Sequence, residues 1–273
     1  MIRDITLGQY YQTDSVIHRL DPRVKLVTTI IYIISLFFFK GIAGYAIAGL
    51  FLIIAIKLSK VPFRYMIKGM KTIIFLLMIT VIFNIFMTPG DIIISLWIFK
   101  ITRQGLKTAI YMALRLCFLI IGSSVMTLTT TPNQLTDGME KLMKPLKRFK
   151  IPVHEISMMM SIALRFIPIL MEETDKIMKA QIARGADFES GNIIKKAKSL
   201  VPLLVPLFIS SFRRANDLAM AMEARCYRGG EHRTKMKPLC YKKRDVLAYI
   251  CLIIYLFASI SLDIIVIRWF TLM

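Results

Sequence analysis

The chain has 273 residues, 56% of them hydrophobic, with a mean hydropathy of +0.61 and a formal net charge of +20. That is too apolar for an ordinary soluble domain. Apolar and basic character together point to a bilayer with anionic lipid heads or acidic partners, and they speak against nucleic acid, because the basic residues flank apolar segments as membrane topology would place them.

Apolar runs of spanning length lie near 24–40, 41–57, 72–88, 105–128 and 245–268. The expected fold is therefore all-α: a polytopic helical membrane protein with about five transmembrane helices and long cytoplasmic amphipathic helices. Asp21-Pro22 opens the first helix with an acidic N-cap followed by proline at N1. The first two runs nearly touch at Lys40-Gly41 and read as a tight antiparallel pair. Gly44 and Ala48 form a small-xxx-small pair, expected to serve internal packing. The 57–71 loop carries Lys57, Lys60, Arg64, Lys68 and Lys71 and no acid, which places it, and with it the N-terminus, in the cytoplasm. Pro89-Gly90 marks a turn, and 92–102 is β-branched and too short to span, so an extracellular hairpin is expected near 89–103, with Thr102 capping the fourth helix.

These signals divide the chain into an N-terminal membrane region (1–130), a cytoplasmic region (131–244) and a last transmembrane helix (245–273) with its C-terminus outside. No cleavable leader is expected, since the first twenty-odd residues are polar and charged. In the cytoplasmic region Ile156, Met160, Leu164, Ile167, Met171, Met178 and Ile182 recur at helical spacing, with a kink expected at Pro168. A second amphipathic helix is expected over about 194–226, interrupted at Pro202 and Pro206, and a shorter one over Asn133–Lys150. Charge along the second half of 153–185 and Arg213-Arg214 within 194–226 argue that neither stretch spans.

Each long amphipathic stretch closes on the same triplet: Ala183-Arg184-Gly185 and Ala224-Arg225-Cys226. A C-terminal arginine favours the helix macrodipole, which by itself is an ordinary helix end. Two such ends, each on a Met-rich helix, read as a pair of docking points, because a guanidinium offers a rigid fork of donors and methionine packs adaptably in a groove. Arg115, within the fourth run, is a candidate intramembrane functional residue, and Asp263 stands near the end of the fifth.

Catalytic signals are poor. There is no G-x-x-x-x-G-K-[ST] loop and no H-E-x-x-H, and the adjacent Glu172-Glu173 lacks a supporting His or Arg. No cofactor and no metal are expected: Cys226, His232 and Cys240 match no zinc spacing, and the other two cysteines, Cys117 and Cys251, sit in apolar runs. An enzyme is therefore not expected. Of the alternatives, an intramembrane enzyme would need convergent catalytic groups, which the sequence lacks, and a self-sufficient channel or secondary transporter would need a polar midplane site, for which Arg115 and Asn84 are the candidates.

Gly8-Gln9-Tyr10, Asp14-Ser15 and His18-Arg19-Leu20-Asp21-Pro22-Arg23 with Lys25 resemble the N-terminal signature of the transmembrane T components of energy-coupling-factor (ECF) transporters. Thr131-Pro132, Pro145-Leu146, Arg165-Phe166-Ile167-Pro168, Gln181-Ile182-Ala183-Arg184-Gly185 and Ala221-Met222-Glu223-Ala224-Arg225 continue the resemblance in order. It implies a cell-membrane scaffold whose cytoplasmic coupling helices hold two ABC-type ATPase subunits and which carries a small substrate-capturing S component, for uptake of a vitamin or other micronutrient. The family's two Ala-Arg-Gly motifs, its ATPase contacts, map onto the two triplets, and the N-terminal signature looks more like that of modules shared among several S components. Cys226 departs from the glycine of the second motif. Since Cys disfavours positive φ, the second helix is expected to end later, at Gly229-Gly230.

Overall fold

The computed structural model describes residues 10–39, 41–96, 99–186, 188, 192–230, 236 and 238–272. Among the described residues there are eight α-helices and one small hairpin: α1 Pro22–Phe38, α2 Ile42–Ser59, α3 Phe63–Met87, β1 Ile92–Leu96, β2 Phe99–Thr102, α4 Arg103–Thr129, α5 Pro132–Met143, α6 Val153–Ala183, α7 Ile193–Ala224 and α8 Lys243–Leu272. The fold is an all-α polytopic membrane protein. Two compact units are present, Met139–Pro238 and Gly8–Gly138 with Leu239–Met273; the division falls within α5.

Local signals set the helix ends. Asp21 caps α1, its Oδ1 accepting from Arg23 N at 2.9 Å, with Pro22 at N1. Thr102 caps α4, accepting from Gly105 N at 3.0 Å, and β1 pairs antiparallel with β2 just before it. Gly41 can offer α2 no side-chain cap. Asp263 of α8 supplies one instead, its Oδ1 accepting from Gly41 N at 2.9 Å and Gly44 N at 3.4 Å. Its carboxylate thus meets the positive end of a neighbouring helix rather than solvent.

In the membrane unit α1, α2, α4 and α8 share a core of Tyr32, Leu36, Tyr45, Leu52, Ile121, Val125, Leu252 and Tyr255. Ser35 Oγ and Tyr255 Oη lie 2.7 Å apart, and Phe51 stacks on Tyr255 at 4.6 Å, so the hydroxyl finds a partner while the ring fills space. Gly44 and Ala48 are buried, and a Cβ on Gly44 would stand 2.7 Å from the Phe39 ring, so the small pair serves internal packing. Large apolar side chains point outward: Phe38, Phe75 and Phe257 are 70%, 74% and 78% exposed. An aqueous protein avoids that much exposed aromatic surface, whereas acyl chains solvate it.

Among the described residues four helices are long and apolar enough to cross a membrane: α2, α4, α6 and Lys243–Asp263 of α8. This set differs from the expected spans. α1 has 17 residues, and the apolar part of α3 is Ile73–Met87. α6, expected not to qualify, does so because its charges cluster toward its C-terminal end and leave an apolar window before them.

Candidate functional site

The two triplets end their helices in the same way. α6 has its C-cap at Arg184; Gly185 follows at φ 86°, Gly185 N donates to Ile182 O at 2.9 Å, and Ala186 N donates to Gln181 O at 3.0 Å. α7 has its C-cap at Arg225; Cys226 follows at φ 53°, Cys226 N donates to Glu223 O at 2.8 Å, and Tyr227 N donates to Met222 O at 3.0 Å. Both are Schellman caps with the same pairing of orphan carbonyls. The expected shift of the second end to Gly229-Gly230 is therefore corrected. Cys226 itself takes the left-handed conformation, at a cost of about 1–2 kcal/mol that the two cap hydrogen bonds, about 1 kcal/mol each, offset. Cys226→Gly should keep this cap and raise thermal stability by about 0.5–1 kcal/mol, and Gly185→Cys should lower it by a similar amount. Melting curves of the purified variants check both signs.

Ala183, Arg184, Gly185, Ala224, Arg225 and Cys226 are all exposed. Among the described residues neither Arg184 nor Arg225 meets a carboxylate. Each is an unspent donor fork at the end of a helix with small neighbours, so a second surface can approach closely. Their spacing follows from how the helices pack. Gln181 Nε2 donates to Pro202 O at 3.3 Å, and Arg214 Nη2 donates to Glu173 Oε2 at 3.0 Å, so α6 and α7 run antiparallel. Arg184 therefore lies beside the start of α7 and Arg225 at its far end, on the order of 35 Å apart at 1.5 Å of rise per residue. The Glu172-Glu173 pair has a structural use, since Glu173 pins the helix crossing through Arg214.

Arg115 donates from Nε to Tyr45 Oη at 3.1 Å and lies over the Phe37 ring at 5.2 Å. Asn84 turns back on its own helix, donating to Thr80 O at 2.8 Å. No group of three His, Cys, Asp or Glu residues could hold a metal among the described residues, and His232 lies outside them.

From Tyr10 on, the N-terminal signature folds into a clasp in the membrane unit, while Gly8 and Gln9 lie outside the described residues. His18 meets Ser15 Oγ at 2.7 Å through Nδ1 and Tyr11 O at 3.0 Å through Nε2. Burial holds its pKa below the ordinary imidazole value. Arg19 pairs with Asp14, and its hydrogen bond holds that carboxyl below the usual range. Lys25 reaches Thr129 O at 2.8 Å and His18 O at 3.2 Å. Arg23 grips Asp21 through two nitrogens, at 3.0 and 2.8 Å, and stacks on Tyr241 at 3.8 Å. Behind them Asp245 Oδ1 accepts from Asp21 N at 2.8 Å. Sequence reasoning missed Asp245, and it also missed a second contact. Glu140 lies 3.1 Å from His154 and accepts from Ser157 at 3.4 Å, while a Cβ on Gly230 would stand 2.2 Å from the His154 ring. Gly230 thus permits close packing rather than ending a helix. The signal was the Gly-Gly pair itself.

A family profile described as cobalt transport protein, CbiQ, matches residues 13–236. Three relatives, from Clostridium kluyveri, Thermosediminibacter oceani and Bacillus subtilis, are each named energy-coupling factor transporter transmembrane protein EcfT. The chain is 59%, 53% and 49% identical to them, over 95%, 91% and 93% of its own length and 97%, 94% and 96% of theirs. By these matches the chain belongs to the EcfT family of transmembrane components of ECF transporters.

Proposed function

We propose that this chain couples two ABC-type ATPase subunits to a substrate-capturing S component, in an importer for a vitamin or similar micronutrient. The observation that carries this reading is the matched pair of exposed Arg-terminated caps at opposite ends of one antiparallel helix pair. One arginine serves each ATPase, Arg184 one and Arg225 the other, and the ATPases perform the hydrolysis. Motion of the two ATPases relative to each other then shifts the α6–α7 crossing that Glu173 and Arg214 pin. The S component rests on the apolar stripe of α7 formed by Val201, Val205, Phe208 and Phe212, which are 51–68% exposed. Co-purification tests the reading: the chain should bring down two ATPase subunits and an S component from membranes, and its isolation without them would overturn it.

The orientation belongs to the same reading. α1–α4 and α8 cross the membrane, with the N-terminus and the α6–α7 pair in the cytoplasm and the C-terminus outside. A cysteine placed at Arg64 should react with a membrane-impermeant maleimide only after the cells are opened. Labelling in intact cells would reverse the topology.

A further inference from the structure

The N-terminal half of α4 carries an excess of positive charge. Arg103, Lys107 and Arg115 lie on it, and the helix contains no acidic residue. Lys107 and Arg115 bracket a pair of stacked rings. Lys107 Nζ stands 5.8 Å from the centre of the Tyr111 ring; Tyr111 stacks on Tyr45 at 5.5 Å; and Tyr45 Oη accepts from Arg115 Nε. No acceptor among the described residues takes the two Nη groups of Arg115. Asp263 accepts from the backbone of α2 at Gly41 and Gly44, and Asp91 from Gln104.

An open apolar groove runs along α2 and α4, with Tyr45, the partner of Arg115, in its wall. Ile42, Ala46, Gly49 and Ile53 line it from α2, and Leu114 and Phe118 from α4. From Ile42 to Ile53 the helix rises roughly 16 Å at 1.5 Å per residue. That is about half of the ~30 Å hydrocarbon core, the depth of one leaflet. A strip of about that length, apolar throughout and flanked by cations at Tyr45, complements a phospholipid. Arginine suits the phosphate end, since its planar fork binds phosphate oxygens in pairs, and basic pockets between transmembrane helices recognise lipid head groups.

We propose that this groove holds one anionic phospholipid, its phosphate at Arg115 and Lys107 and an acyl chain along Gly49 and Phe118. The bound lipid completes the charge balance that the protein leaves open and covers the α2–α4 seam. Nothing in the ATPase-docking reading requires this site, so the two can fail separately.

Native mass spectrometry of the purified full-length chain, with phosphatidylglycerol or phosphatidylcholine added as the probe, tests it. The parent should retain phosphatidylglycerol in preference to phosphatidylcholine. Arg115→Gln should lower phosphatidylglycerol retention about tenfold, the scale of one charge-assisted hydrogen bond. Ala46→Phe, which fills the groove and leaves both cations in place, should do the same. Equal retention of the two lipids by the parent, or undiminished retention by either variant, would overturn the proposal. If Arg115→Gln fails to accumulate, the lipid preference of the parent and the Ala46→Phe variant still decide it. In the assembled transporter a photo-reactive phosphatidylglycerol should label α2 and α4; labelling confined to other subunits would show that a partner helix fills the groove and would overturn it too.

Discussion

Replacing both Arg184 and Arg225 by alanine is expected to abolish substrate uptake and release both ATPases while the chain still inserts and folds. Each guanidinium is exposed and unpaired among the described residues, so its loss removes little from the fold. In a complex the same group becomes partly buried. Losing a charge-assisted bond there costs about 2–5 kcal/mol, which is about 30-fold or more in affinity. The two ends are separate, on the order of 35 Å apart along α7, so their losses should add. A single variant should therefore weaken coupling and keep partial assembly, helped by apolar neighbours such as Ile182 and Met220, which are 54% and 60% exposed. Lysine should rescue poorly at either position, because an ammonium cannot reproduce the fork. Uptake and co-purification at matched membrane levels decide the matter. A double variant that assembles and transports like the parent would make both triplets ordinary helix ends.

The second triplet also shows what a sequence can and cannot say. Chain-local signals were readable: Asp21 before Pro22, Thr102 before α4, and an arginine closing each long amphipathic stretch. Propensity misled at Cys226. It weighs one residue's φ alone, while the cap is decided by how many orphan carbonyls the turn satisfies. At α6 length and composition do not separate a span from an amphipathic helix, because its charge gathers toward one end and leaves an apolar window before it. The carboxylates that hold the membrane unit together were not legible at all. Asp245 acts on a backbone amide 224 positions away, and Asp263 on one 222 away. Nothing local to either residue names its partner; only the packing of α8 beside α1 and α2 brings them together.

Asp245→Ala should accordingly be the most damaging single change to the fold itself. The side chain is 1% exposed and both oxygens are in use. Oδ1 accepts from Asp21 N at 2.8 Å, and Oδ2 accepts from Lys242 N at 2.7 Å, at the start of α8. Alanine would strand the Asp21 amide away from water, at about 1–3 kcal/mol, and take from the exposed Lys242 amide a hydrogen bond of about 1–2 kcal/mol. The loss should therefore reach about 2–5 kcal/mol, a large part of a typical domain's stability. It would also strip α8 of its N-terminal cap and loosen the strap in which Arg23 holds Leu239 O at 3.2 Å and stacks on Tyr241. Asparagine offers a test of mechanism rather than of size. Its single carbonyl oxygen can serve one of the two amides, so Asp245→Asn should lose about half as much as alanine. Thermal melts of the isolated chain in one detergent give the comparison, because bound partners would raise apparent stability by mass action. The arginine variants should melt with the parent and fail to assemble, whereas Asp245→Ala should melt early and accumulate poorly. If Asp245→Ala instead melts with the parent, the link from α8 to the N-terminal signature contributes little, and apolar packing around Leu252 and Tyr255 must hold that helix in place.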